Sequence, residues 1–123
     1  MISLYTIITF VFCHWFFDFF LQTEEQAKGK STDNVALLEH VRTYWWGLVC
    51  MVLLNYPKFH NWSIFYFVAI NAVAHFFTDW VTSRATSLLY KEERYHDFFV
   101  TVGADQFLHY VTLFGTFVWL SNL

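Results

Sequence analysis

The sequence has few charged residues, few glycines and few cysteines. Charged side chains make up 14% of the 123 residues, against about 25% in a typical soluble domain. This shortage of charge, together with 24% aromatic residues, excludes intrinsic disorder. Four glycines exclude a collagen-like chain, and two cysteines exclude a disulfide scaffold. A net charge of −3 without a basic stripe argues against nucleic acid as a partner. A small integral membrane protein is the class that remains.

The apolar residues, 57% of the chain, fall into four blocks. Each block is close to the roughly 20 residues that a membrane-spanning helix needs, and none alternates as barrel strands do. The sequence therefore predicts an all-α, integral membrane four-helix up-down bundle in one transmembrane domain, residues 1–123. The predicted helices cover residues 2–22, 35–56, 62–90 and 98–120. The polar segment Thr23–Asn34 is predicted to be a surface loop.

Basic residues predict how the chain is oriented in the bilayer. The stretches that follow the first predicted helix and the apolar part of the third carry five of them, Lys28, Lys30, Arg84, Lys91 and Arg94. The turn between the second and third helices carries only Lys58. By the positive-inside rule, we expect a multi-pass protein of a bacterial inner membrane with both termini outside the cytoplasm.

Three pairs of ionisable residues lie inside the apolar blocks, and all have the same spacing. The pairs are His14 with Asp18, His75 with Asp79, and Asp105 with His109. Residues four apart lie on one helix face, and chance predicts only about half a pair at this spacing. With the predicted topology, the three pairs and His40 lie in the cytoplasmic half of the bilayer. We expect them to meet at one centre.

Imidazole and carboxylate groups together suit zinc, manganese or iron. A charged side chain at membrane depth costs about 2.5–3.5 kcal/mol on insertion scales, so it usually faces a partner or a cavity. The sequence predicts a divalent-metal site with the candidate ligands His14, Asp18, His40, His75, Asp79, Asp105 and His109. A metal ion activates bound water, and a carboxylate of Asp18, Asp79 or Asp105 could act as general base.

Three further polar residues are predicted to bind or orient a substrate. Gln22 lies four residues after Asp18, and Gln106 adjoins Asp105. Both could therefore orient the ligands or the substrate through hydrogen bonds without binding the ion themselves. Arg42 could bind a phosphate, pair with a buried aspartate or extend to the lipid headgroups.

The same pairs have two other interpretations. Buried His–Asp contacts can be interhelical hydrogen bonds that only stabilise the bundle, worth about 0.6 kcal/mol each in a membrane. They can also form a proton relay. Both interpretations stay open at the level of sequence.

The motifs resemble those of a family of small, poorly characterised integral membrane proteins from bacteria and their phages. The signature is H-x-x-x-D-F-x-L-Q-T near the N-terminus, a histidine that opens the second helix, H-x-x-x-D in the third and D-Q-x-x-H in the fourth. The matching residues are His14, Asp18, Phe19, Leu21, Gln22, Thr23, His40, His75, Asp79, Asp105, Gln106 and His109. Residues 70–120 look most like the viral branch. The resemblance implies this fold and this residue set, but no reaction.

The leading functional hypothesis is metal-dependent hydrolysis of a lipid-like or phosphorylated substrate near the cytoplasmic leaflet. The sequence also has a looser resemblance to membrane-bound metal-dependent hydrolases, which supports this hypothesis by analogy only. The alternatives are a non-enzymatic phage membrane protein, which alters the host envelope or excludes other phages, and a small proton or ion conductor. The expected partners are the lipid bilayer and a lipid-like substrate, and association into a homo-oligomer is left open.

Overall fold

The structure, a computed structural model, describes residues 1–123 as helices and turns without a strand. The α-helices are α1 (Leu4–Trp15), α2 (Glu24–Gly29), α3 (Asn34–Leu54), α4 (Asn61–Lys91) and α5 (Tyr95–Ser121). A π-helical segment, Phe16–Phe20, continues α1, and a 3₁₀ turn, Tyr56–Lys58, precedes α4. The predicted all-α class is confirmed.

The structure differs from the prediction in the segment between the first two long helices, where α2 replaces part of the expected loop. Thr23 and Gln26 form a capping box at the start of α2, which pairs backbone N–H groups that a short helix would leave free. Gly29 ends α2, and a Cβ atom there would lie 2.9 Å from the Cβ of Ala36. Glycine therefore allows the turn after α2 to pack closely against α3.

The long segments run antiparallel to their neighbours along the chain. Asn55, just after α3, donates a hydrogen bond of 3.0 Å to Thr9 near the start of α1. Arg84, in the second half of α4, donates to Asn34 at the start of α3, at 3.0 Å. The helix α5 packs back along α4 in the same sense.

One stripe of buried residues on each long segment faces the interior, and its members are mostly three or four apart. On α4 this stripe is Ser63, Phe67, Asn71, His75, Asp79 and Ser83. The stripes divide the interior into two parts. The apolar cluster has 11 buried residues, which include Phe10, Leu48, Met51, Phe67, Leu113 and Phe117. The polar core consists of His14, Asp18, His40, His75, Asp79, Asp105 and His109 and lies toward the opposite end of the bundle.

The exterior is rich in large apolar side chains. All six tryptophans are exposed, while nearly half of the 24 buried residues are polar or charged. By length and composition, one helix could cross a membrane: α4, whose most apolar 18-residue window has a mean hydropathy of 1.4 and is 22% buried. The segment Leu4–Phe20 is a shorter apolar helix. The predicted four-helix membrane bundle therefore stays a prediction.

Candidate metal centre

The π-helical segment places Asp18 in the interior. Such segments widen a helix locally and occur frequently at functional sites. The neighbouring Phe17 packs against Gly47 of α3, where a Cβ atom would lie only 2.8 Å from the Cβ of Phe17. This close approach brings α3 to the segment. Nearer the start of α3, His40 Nε2 lies 2.9 Å from Asp18 Oδ1.

Four residues from three segments, the π-helical segment, α3 and α4, form the centre of the polar core. We call Asp18, His40, His75 and Asp79 the His–Asp quartet. All four are buried, and one candidate ligand atom from each lies within 4.8 Å of the others. His40 Nε2 is 3.2 Å from Asp79 Oδ2, and His75 Nε2 is 3.4 Å from Asp18 Oδ1. Both Nε2 atoms therefore face the same pair of carboxylate oxygens.

The quartet has more close contacts among its Nε2 atoms and carboxylate oxygens than it has Nε2 protons to donate. Each imidazole nitrogen carries at most one proton. The two Nε2 atoms of His40 and His75 are 3.2 Å apart, and each also faces Asp18 and Asp79. Ligands bound to one metal ion at about 2.0–2.2 Å lie roughly 3.0–3.6 Å from one another. The spacing within the quartet is thus close to that of a coordination shell.

A second group shares one member with the quartet. His109 Nε2 lies 3.0 Å from Asp79 Oδ1 and 3.4 Å from Asp105 Oδ2. Thr82 donates a hydrogen bond to the other oxygen of Asp105. Asp79 therefore contacts His40 and His75 through one carboxylate oxygen and His109 through the other.

The two groups are joined through a pair of imidazoles. The Nδ1 atoms of His75 and His109 are 3.3 Å apart, so one of them donates to the other. If His75 binds a cation through Nε2, its proton is on Nδ1 and is donated to His109. His109 then carries its own proton on Nε2 and donates it to Asp79 or Asp105. Histidine ligands of metals commonly make such an outer hydrogen bond, which fixes the orientation of the ring.

His14, a predicted ligand, lies beside the quartet rather than in either candidate ligand group. Its Nε2 donates to Gln106 Oε1 at 2.8 Å, and its Nδ1 lies 3.2 Å from the Tyr44 hydroxyl. Gln106 in turn donates to Asp105 Oδ2 at 2.9 Å. These contacts suit a positioning role, with His14 oriented by Tyr44 and Gln106.

The other two predicted substrate-binding residues lie in different places. Gln22 faces a cavity beside the polar core, and its Oε1 atom is buried without a hydrogen-bond partner. The side chain of Arg42 is 74% exposed and pairs with Glu39 at 3.1 Å. The structure therefore does not bring Arg42 to the centre, because its position on α3 faces outward.

Two residues at the centre were missed by the sequence analysis. Lys30 Nζ donates to Asp79 Oδ2 at 2.9 Å from the turn after α2. No spacing rule points to it, because that turn lies far from Asp79 in sequence. Tyr44 stacks on His75 with ring centroids 3.8 Å apart. Its position four residues after His40 places both on one face of α3, a signal that could have identified it.

The cavity beside the polar core has a volume of about 440 Å³. Asp18, Gln22, Asp105 and Gln106 line it at the core. Its remaining walls come from the α2 region, the second half of α4 and the start of α5, and carry three lysines and several hydroxyl groups. A polar molecule in this cavity would contact residues of the centre directly.

Comparison with known proteins identifies the family. Residues 6–122 match the family described as "Protein of unknown function (DUF3307)". The match covers nearly the whole chain, so the protein belongs to this family, and the predicted membership of an uncharacterised family is confirmed. No curated protein and no solved structure matches the chain.

Proposed function

We propose that this member of the DUF3307 family is a membrane-embedded four-helix bundle that hydrolyses a lipid-like, phosphorylated substrate with one divalent metal ion. The ion is held by the His–Asp quartet near the cytoplasmic leaflet. The observation that carries the proposal is the convergence of two imidazole Nε2 atoms and two carboxylates from three segments of the chain.

The distribution of polar and apolar residues supports the membrane location. Soluble monomers rarely expose large contiguous apolar patches. Here the exposed side chains include Phe65, Phe99 and Phe107, and the interior holds four histidines and two aspartates with little exposure. This inversion suits a protein whose exterior contacts lipid and whose polar groups face one another.

The donor set supports a transition metal. Two imidazole nitrogens with two carboxylate oxygens suit zinc, manganese or iron, whereas calcium and magnesium prefer oxygen ligands. Because the quartet already supplies four ligands, water or substrate can bind the ion only as a fifth ligand. The cavity on the Asp18 side provides the approach for such a ligand.

Each part of the polar core has a role in this proposal. A metal ion bound in the quartet would polarise a phosphoryl oxygen of the substrate and activate a water molecule. Asp18 and Asp79 hold the ion, while Asp105 lies outside the quartet and lines the cavity, so its carboxylate is placed to accept a proton as general base. Gln106 and Thr82 hold Asp105 in position through hydrogen bonds.

A proton relay is the second candidate, and the imidazole contact between His75 and His109 favours it. The apolar cluster argues against transport across the bundle. Phe10 and Phe67 pack with ring centroids 5.6 Å apart beyond His14, and no histidine, acidic or basic side chain belongs to that cluster. Proton movement would therefore be confined to the polar half of the interior.

The test is metal analysis of protein purified in detergent after growth with added manganese or zinc. We expect one ion per chain in the wild type and none in His75→Ala, because a quartet without one imidazole loses much of its affinity. The control is Asp97→Asn, an exposed carboxylate that pairs with Arg94 and should leave metal content unchanged. Wild-type protein that is folded and free of metal in both media would contradict the proposal and favour a structural polar network.

A further inference from the structure

The ammonium group of Lys30 occupies one side of the candidate metal centre. Its Nζ atom donates at 2.9 Å to Asp79 Oδ2, the oxygen of Asp79 that faces the imidazoles of His40 and His75. The Asp79 side chain is 2% exposed, and that of Lys30 is 20% exposed. Lys30 thus neutralises a buried carboxylate at the oxygen that a metal ion in the quartet would use.

The backbone of Lys30 is fixed, while its side chain extends along the cavity. The carbonyl of Lys30 accepts a hydrogen bond of 3.3 Å from Ser83 of α4. The carbonyl of Gly29 accepts one of 2.8 Å from the backbone N–H of Asp33, which closes the turn. A lysine side chain has four methylene groups, so its ammonium can move by several ångströms while the turn stays in place.

The cavity next to this ammonium suits an anionic headgroup. Lys30, Lys28 and Lys91 line it together with hydroxyl groups of α4. Phe19 and Phe98 line it as well and offer apolar surface to the chain that carries the headgroup. Cationic and hydroxyl donors beside apolar surface are the groups that a phosphorylated amphiphile would contact.

The carboxylates at the inner end of the cavity determine when an anion could bind. Asp18 and Asp105 line the cavity there, and they repel a phosphate group as long as no dication offsets their charge. The ammonium group of Lys30 is itself held by Asp79 in the structure. A metal ion in the quartet would take the Asp79 oxygen and repel the ammonium of Lys30 toward the cavity.

We propose that Lys30 exchanges between two partners: Asp79 while the quartet is free of metal, and the phosphate group of a substrate in the cavity once the metal is bound. The inference rests on the proposed function and adds its substrate class, a phosphate-bearing amphiphile. It also adds an order of binding, with metal before phosphate. The two ligands are therefore coupled, since each favours the state in which Lys30 has left Asp79.

The first experiment titrates Mn²⁺ into detergent-solubilised wild type and Lys30→Met by calorimetry. Methionine keeps much of the apolar stem and removes the competing ammonium, so we expect the Kd for Mn²⁺ to fall about tenfold, within the usual range of coupling. Lys58→Met is the matched control, because Lys58 lies at the opposite end of the bundle near Ser3. Size-exclusion chromatography reports whether each variant is folded, and Lys30→Arg, which keeps the charge, should bind Mn²⁺ as the wild type does.

The second experiment measures binding of short-chain phosphatidate, inorganic phosphate and short-chain diacylglycerol to the Mn²⁺-loaded proteins. We expect phosphatidate to bind about tenfold more weakly to Lys30→Met than to Lys30→Arg or to the wild type. Binding of inorganic phosphate at equal affinity would assign the site to free phosphate, whereas preference for phosphatidate assigns it to a lipid headgroup. Diacylglycerol should not bind.

The outcomes separate the two proposals. A wild type that binds Mn²⁺, with Lys30→Met unchanged in both affinities, would overturn the exchange of Lys30 and leave the metal site standing. Equal affinities of Lys30→Met and Lys30→Arg for phosphatidate would also overturn it. A folded wild type that binds no Mn²⁺ would overturn the metal site and this inference together.

Discussion

The two halves of the interior are built from the same four long segments but have opposite chemistry. In the apolar cluster, Phe10, Phe67 and Phe117 pack through their rings, with centroids 5.3 and 5.6 Å apart for the two pairs that include Phe10. One helical turn further along α1, His14 begins the polar core. Along this inward stripe, the residues thus make apolar contacts at one end and hydrogen bonds at the other. The apolar half can hold the bundle together while the polar half keeps groups that are costly to bury.

The largest effect is expected from Asp79→Ala. Asp79 contacts His40, His75, His109 and Lys30, so its removal leaves three imidazoles and a partly buried ammonium without their carboxylate partner. Breaking a buried charge pair on one side costs about 3–5 kcal/mol. We expect a lower thermal midpoint and no bound metal, measured by thermal unfolding in detergent and by metal analysis.

The isosteric variant Asp79→Asn is the control for this prediction. It keeps the volume of the side chain, so it should recover part of the stability and still bind little metal. Full metal content in either folded variant would show that the centre does not depend on this carboxylate.

Phe67→Ala tests the other half of the comparison. Phe67 is fully buried and contacts the rings of Phe10 and Phe59. Truncation of a buried phenylalanine costs about 3 kcal/mol or more. We expect a lower thermal midpoint with metal content unchanged, because the cavity would form away from the quartet. A folded Phe67→Ala protein that has lost its metal would show that the two halves are not independent.

Gly47→Ala tests the boundary between the halves. A Cβ atom at this position would lie 2.8 Å from the Cβ of Phe17, so α3 and the π-helical segment must separate. Overpacking of this kind costs about 1–3 kcal/mol. Because Asp18 adjoins Phe17, we also expect weaker Mn²⁺ binding, measured by calorimetry.

Gly115→Ala is the matched control, since nothing lies within 4 Å of a Cβ atom there. It should be neutral or slightly stabilising, because alanine favours a helix over glycine by about 0.5–1 kcal/mol. Equal effects of the two substitutions would rule out the contact between Gly47 and Phe17 as the cause.

Acidification should weaken metal binding without unfolding the apolar half. Histidine ligands must be deprotonated to bind, and free histidine has a pKa of about 6.5. Protons therefore compete with the metal at His40 and His75, and the affinity should fall as the pH is lowered from neutral. Calorimetric titration at several pH values measures this trend. A Kd independent of pH would contradict coordination by imidazole.

The smallest effect is expected from Arg42→Ala. Its side chain is 74% exposed and pairs only with Glu39. Exposed ion pairs typically contribute about 0–1 kcal/mol, so stability and metal content should stay close to those of the wild type. A large loss of metal would show that Arg42 acts on the centre in spite of its exposed position.

Local spacing explains why much of the arrangement could be predicted from sequence. The four-residue separation of His75 from Asp79 fixes both on one face of α4 whatever the rest of the chain does. Long apolar blocks likewise predicted helices in place of strands. The roles of these residues as ligands or bases were predicted on chemical grounds and stay predictions.

Other features depend on contacts that no local pattern records. The contact of Lys30 with Asp79 joins residues 49 positions apart through a turn that was expected to be a plain loop. The π-helical segment around Asp18 arises where Phe17 meets Gly47. Arg42 was predicted to bind substrate from its position two residues after His40, and two residues of helical rotation place its side chain on the outside of α3 instead.

The most direct test of the metal centre is an anomalous difference map from crystals of the Mn²⁺- or Zn²⁺-loaded protein. We predict one peak about 2.0–2.2 Å from Nε2 of His40 and His75 and from a carboxylate oxygen of Asp18 and Asp79. In the same crystal, Lys30 should have left Asp79. A folded, metal-soaked protein with no peak among these four residues, or with peaks only at surface side chains, would contradict the account.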